Sequence, residues 1–160
     1  LMQLTRFTDI GLRVVMRLVT APADTTLTSR DLAAELAVPY THVAKVVSRL
    51  SELGVIHSRR GRSGGIAVTE LGRTAQVGWL ASKLEGDGEV VDCDGPQPCP
   101  LRGNCKLRGA LAQAQRAFYD SLDAHTIDEL ASSSARITLL SIGTPTRTTA
   151  SGTEDAAGIR

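Results

Sequence analysis

Residues 36–72, LAVPYTHVAKVVSRLSELGVIHSRRGRSGGIAVTELG, decide the fold. In the first half Val43, Val46, Val47, Leu50 and Leu53 recur at spacings of three and four, so a helix with one buried face is predicted over 40–53. Just upstream, Thr28 or Ser29 can cap a short helix that turns Leu32, Ala33 and Leu36 inward. Only the break AVP separates the two, and helices joined by so short a turn predict a helix-turn-helix. After Gly54, VIHS and GIAVT flank RRGRSGG, which reads as a two-stranded hairpin with three arginines and three glycines at its tip. The expected fold is mainly α with a small β-hairpin wing, a winged helix-turn-helix.

That plan gives each element a partner on double-stranded DNA. With the apolar stripe removed, the second helix presents Thr41, His42, Lys45, Ser48 and Arg49 outward, toward base edges in a major groove. Lys45 is a long donor one turn into the helix and suits guanine O6 and N7; Thr41 comes second. Tyr40 suits a phosphate or the helix start as well as a base. Arg59, Arg60 and Arg62 suit phosphates or a narrow minor groove, and Gly61, Gly64 and Gly65 allow close backbone approach. Standing alone, the tip would read equally well as a solvated basic turn.

Upstream, Thr5 can cap a helix whose stripe is Phe7, Ile10, Val14 and Leu18, ending near Thr20. Downstream, Thr69 is expected to cap a single helix, TELGRTAQVGWLASKLEG, with Leu71, Ala75, Trp79 and Leu80 inward. Gly72 and Gly78 weaken that helix, for no reason visible in the sequence. A long helix over 104–122 carries Leu107, Ala110, Leu111, Ala114, Phe118 and Leu122 on one face. At 1.5 Å per residue it reaches nearly 30 Å, more than a winged helix needs for its own core, so it is expected to dimerise the chain. HTIDELASS reads as a short helix, RITLLSI as a strand, and residues from Gly143 onward as a disordered polar tail. The domain division expected is 2–80 for DNA binding, 81–142 for the cysteine loop and dimerisation helix, and 143–160 for the tail; Leu1, before Met2, is left out.

The chain has 160 residues, 42% apolar but only 3% aromatic, so Leu, Val, Ile and Ala must fill the core. No apolar run reaches the roughly 20 residues of a membrane span. The net charge of +1 hides an asymmetry: ten Lys and Arg against six Asp and Glu through Leu80, then eight against eleven. A basic front suits a polyanion, and an acidic back suits a cation or cluster. The only three cysteines, Cys93, Cys99 and Cys105, form a C-x5-C-x5-C array in VVDCDGPQPCPLRGNC. An odd number cannot close into disulfides within one chain, and nothing reads as a secretory signal, so a reducing, cytoplasmic compartment is expected. Metal ligation is then the leading use of the thiols. Pro96, Pro98 and Pro100 stiffen the loop, while Glu85, Asp87, Glu89, Asp92 and Asp94 would raise a free thiol's pKa by repulsion. Three thiols leave a four-ligand site one short. A zinc-stabilised DNA-binding protein with a His or Asp as fourth ligand, His125 being the ready histidine, a thiol-redox regulator, and a regulator responding to oxygen or to iron and sulfur supply are the rivals. An enzyme is not expected, since no nucleophile triad, phosphate loop or carboxylate cleft emerges.

LTRFTDIGLRVVMRL, LAVPYTHVAKVVSRLSELGVI, the wing RRGRSGGI, AVTELG and CPLRGNC together resemble the iron-sulfur winged-helix regulators of the IscR/NsrR family, over about residues 2–142 and most closely its actinobacterial nitric-oxide-sensing members. The resemblance implies a homodimeric repressor that binds a four-iron four-sulfur cluster and loses operator affinity when nitric oxide attacks it. It also implies the missing ligand: Asp9 in RFTDIGLR, donated by the opposite subunit. Read from the residues alone, Asp9 favours a helix start and pairs with Arg13 four residues on, and both roles can hold at once.

Overall fold

A computed structural model describes residues 3–23, 25–59, 61, 64–86, 88–132 and 138. Thr5 opens α1 (Arg6–Thr20) by accepting a hydrogen bond from the Thr8 N–H. Ile10, Val14, Val15 and Leu18 are buried along this helix, and Phe7 is half-buried beside them. Helix α1 lies against nearly every other element of the core. Thr28 caps α2 (Ser29–Glu35), and Asp31 returns a bond to the Thr28 N–H in a capping box. That bonding holds the Asp31 carboxyl below its usual range. Arg17 and Glu35, both largely buried, tie α1 to α2 by a two-bond ion pair at 2.7 and 3.3 Å.

The turn between α2 and α3 (Tyr40–Glu52) is a Schellman motif. Val38 donates to the Ala33 carbonyl and Ala37 to that of Ala34, which forces Ala37 to φ +53. Glycine usually takes this place because a Cβ there is crowded. Val43, Val46, Val47 and Leu50 of α3 are buried as expected, and Leu53 is half-buried past its end. Strands β1 (Ile56–Arg59) and β2 (Gly65–Val68) pair antiparallel, with Ile56 opposite Val68 and Arg59 opposite Gly65. A bridge from Leu27 to Ile66 fastens this hairpin to the segment before α2. The winged helix-turn-helix is therefore present.

The single helix expected after Thr69 is instead two, α4 (Glu70–Thr74) and α5 (Val77–Glu85). Ala75 turns extended between them, and this break changes which side chains face inward. Leu71, expected in the core, is 46% exposed; Ala75 and Leu80 are buried and Trp79 is half-buried. The two glycines acquire a reason. A Cβ on Gly72 would fall on the Val55 carbonyl oxygen, and one on Gly78 on that of Tyr119. Gly72 lets α4 lie on the hairpin, and Gly78 lets α5 touch α6 (Lys106–Leu122). Helix α6 starts two residues later than expected and has no buried residue along its 17. Leu107 is 64% exposed, and Ala110 and Ala114 are also open. Helix α7 (Ile127–Ala131) returns to α1, so Ile127 and Ala131 share one core with α1 to α3, drawing on both sides of residue 80. The expected tail from Gly143, and the expected strand over 136–142 apart from Thr138, which is helical, lie outside the described residues.

Two substitutions should move stability in opposite directions. Gly78→Ala should cost about 1–3 kcal/mol, because α5 and α6 must separate to admit the methyl group. Ala37→Gly should gain up to about 1 kcal/mol by relieving the left-handed conformation. Urea unfolding of each variant beside the parent measures both.

Candidate functional site

Two surfaces carry the residues singled out from sequence. On α3, Thr41, His42, Lys45 and Ser48 are exposed along one side, opposite the buried valines. Tyr40 is 48% exposed at the helix start, and the Arg30 guanidinium of α2 stacks 5.3 Å over its ring. Arg30 was not among the sequence candidates, because only the turn geometry brings it beside the α3 N-terminus. Arg49 differs from the other members of the outward set. It pairs with Glu52 at 3.1 Å and donates to the Lys83 carbonyl, so its guanidinium is directed to α5. Arg59 is exposed at the end of β1, whereas Arg60 and Arg62 lie outside the described residues.

The second surface is the loop between α5 and α6. It has little regular structure, and its shape comes from a few bonds. The Cys99 N–H donates to the Cys93 carbonyl at 3.0 Å, and Arg102 then donates to Cys99. Cys105 is the N-cap of α6, and its sulfur accepts the Arg108 N–H at 3.4 Å. The positive end of a 17-residue helix thus faces this sulfur, which suits an anionic ligand. Cys93 is buried; Cys99 and Cys105 are half-buried. Among the described residues, no three His, Cys, Asp or Glu side chains are gathered closely enough to hold a single metal ion.

Arg108 organises the charges of this loop. Its guanidinium bonds both oxygens of Glu89, at 2.6 and 2.7 Å, and reaches Asp94 at 3.3 Å. Arg102 adds a longer contact to Asp94 at 3.6 Å. These bonds hold the Glu89 carboxyl below its usual range and push the Arg108 guanidinium up. The Cys93 thiol is pushed up, chiefly by burial; Arg108 opposes this, while Cys99, Cys105 and Glu89 add to it. Carboxylate repulsion, the expected cause, is thus a minor one at Cys93, where the contributing Glu89 is itself paired with Arg108. A thiol so raised is a poor nucleophile, which disfavours the thiol-redox reading.

Asp9 is half-exposed on α1 and accepts a bond from Arg13 Nε at 2.8 Å. It lines an open cleft of about 510 Å³ with Gln3, Arg6, Arg13 and Val38, and no cysteine is among the residues lining that cleft. His125 lies just past the far end of α6, whose length puts it roughly 25 Å from Cys105. It cannot complete a site with the cysteines of its own chain.

No helix among the described residues is long and apolar enough to cross a membrane. The family Rrf2, described as iron-dependent transcriptional regulator, matches residues 4–133. The HTH-type transcriptional repressor NsrR of Streptomyces coelicolor is 55% identical over 130 residues, covering 81% of this chain and 88% of that protein. The HTH-type transcriptional regulator NsrR of Geobacillus kaustophilus is 34% identical, over 81% of this chain and 89% of that one. Among solved structures, the global cysteine regulator CymR of B. subtilis superposes with a TM-score of 0.62 at 22% identity, covering 82% of this chain and 98% of that one. IscR of T. potens gives 0.62 at 15%, covering 81% and 85%. These two structures bear on the fold alone. With four-fifths of its length matched, the chain belongs to the Rrf2 family of transcriptional regulators and is not an enzyme.

Proposed function

We propose that this protein is a homodimeric repressor that binds operator DNA in the cytoplasm and senses nitric oxide through an iron-sulfur cluster of the four-iron four-sulfur type. The observation that carries the reading is a loop in which Cys99 bonds the backbone of Cys93, Cys105 caps a helix N-terminus, and a guanidinium shares a cleft with Cys93. The similarity to a protein named as the repressor NsrR supports it. So does the chemistry of the donor set, since soft thiolates suit iron-sulfur clusters.

In this reading Cys93, Cys99 and Cys105 hold the group, and Asp9 of the partner subunit supplies the fourth ligand. The bound cluster supplies iron with an affinity for nitric oxide. The remaining chemistry belongs to the chain. Arg13 holds one carboxylate oxygen of Asp9, which limits the rotation of the carboxylate. A hard oxygen on soft iron is the most replaceable of the four ligands. Asp9 sits on α1, and α1 packs on α3, so the ligand and the reading helix share one rigid support. The open Leu107, Ala110 and Ala114 face of α6 is the proposed dimer contact. On DNA, Thr41, His42, Lys45 and Ser48 meet the major groove, with Arg49 steadying α3 against α5, and Arg59, Arg60 and Arg62 follow the backbone.

Three predictions follow from these roles. Replacing any one of Cys93, Cys99 or Cys105 by Ala should abolish cluster uptake in anaerobic reconstitution, and Asp9→Ala should leave it loaded with an altered spectrum. Iron and sulfide analysis decides, and full content in a cysteine variant would remove that cysteine from the site. On an operator selected in vitro, Lys45→Ala should lose about 1–3 kcal/mol and relax preference at one position of each half-site. Arg59→Ala should instead weaken all DNA alike and lower the salt slope by about one. Cluster-free protein should remain a folded dimer in sedimentation yet bind operator far more weakly. A monomer would point to control by assembly, and undiminished affinity would take the cluster out of regulation.

A further inference from the structure

We propose that Arg108 is the positioning residue that clasps the cysteine loop, tying both flanks of Cys93 to the helix start at Cys105 before any group is bound. The inference rests on the reading of this loop as the cluster site, and it adds a residue that has no ligand atom of its own. Glu89 lies four residues before Cys93, and Asp94 immediately follows it. Arg108 grips Glu89 through two parallel bonds and Asp94 through a third, so both sides of Cys93 are tied to one guanidinium. The same residue's backbone N–H is bonded to the Cys105 sulfur. One residue thereby connects the first thiol of the array with the last, across a loop held otherwise by a few backbone bonds, by the longer Arg102 contact to Asp94 and by Gln115, which donates to the Gly88 carbonyl.

The physical basis has two parts that can be separated. A planar guanidinium with two bonds to one carboxylate fixes direction as well as distance, which a lysine cannot reproduce. Restricting the empty loop also lowers the entropy cost of gathering three sulfurs. Independently, a permanent cation near Cys93 offsets the negative charge of a thiolate-bound cluster, and an added electron would feel it most. The clasp therefore governs how firmly the group is held, and the charge governs its reduction potential.

The test uses full-length dimer reconstituted without oxygen, with Arg108→Gln, Arg108→Lys, Glu89→Gln and the double variant Arg108→Gln/Glu89→Gln. Loaded Arg108→Gln should surrender iron to a chelator about 10-fold faster or more, the scale found for residues that orient metal ligands. Its reduction potential should shift negative. Arg108→Lys should restore the potential but not the slow release. In cluster-free protein, amide exchange over 89–105 should quicken in both. Glu89→Gln should quicken release in the same direction, and the double variant should not exceed Arg108→Gln, because both break the one contact they share. Arg116→Gln, farther along the same helix, should match the parent. If Arg108→Gln does not fold, Glu89→Gln and Arg108→Lys carry the test. A parent that takes up no iron or sulfide would overturn the cluster reading and this one with it. A loaded parent with unchanged release from Arg108→Gln, or additive effects in the double variant, would overturn the clasp alone.

Discussion

The burial of α1 is the constraint on which the rest depends. This helix packs on α3, α5, α7, α4 and β2, so its side chains serve five interfaces at once. Ile10, Val14, Val15 and Leu18 are each about 3% exposed or less, and each such burial contributes roughly 1.5–3 kcal/mol. Nearness to so many neighbours demands small groups. A Cβ on Gly11 would lie 2.6 Å from a Leu84 methyl group, so even this position is set by packing. The buried Arg17–Glu35 pair is a costlier feature: Arg17 Nη1 is buried without a partner among the described residues. It fixes α2 on α1 by direction, where apolar contact alone would let it slide.

The rigid support has a consequence for the two working surfaces. Helix α3 rests on α1 through its valines, and its polar side stays open; the turn before it is held by backbone bonds strong enough to impose φ +53 on an alanine. Orientation of the exposed side chains is therefore inherited from the core. Helix α6 is placed differently. It rests on α5 where Gly78 admits the Tyr119 carbonyl, and the Trp79 N–H bonds Asp123 just past its end. It buries nothing fully, which leaves its apolar residues available to another surface.

At the cysteine loop the balance between burial and charge decides the chemistry. An acidic loop around thiols reads as repulsive, but Glu89 and Asp94 are paired with Arg108 and Arg102. Burial then becomes the main influence on Cys93, and a buried neutral thiol is unreactive until something takes its proton. A metal-bearing group does so outright. The arrangement is thus quiet when empty and receptive to a cation, as the sensor reading requires.

Sequence alone was enough for the winged helix-turn-helix, because its evidence is local: caps at Thr5 and Thr28, valines at helical spacing, and arginines and glycines between two apolar runs. The cysteine array was equally plain, since spacing is covalent. Tertiary structure alone decided what depends on contact across the chain. The break at Ala75 turned Leu71 outward, although periodicity ran unbroken through it. Gly72 and Gly78 look like helix weaknesses until the Val55 and Tyr119 carbonyls are seen against them. His125 is a plausible ligand by residue type, and the length of one helix keeps it from the cysteines of its own chain. Arg30 and Arg108 carry no motif, because a guanidinium takes its role from the ring or carboxylates that folding brings to it. Periodicity reports which face is buried, but only packing says against what.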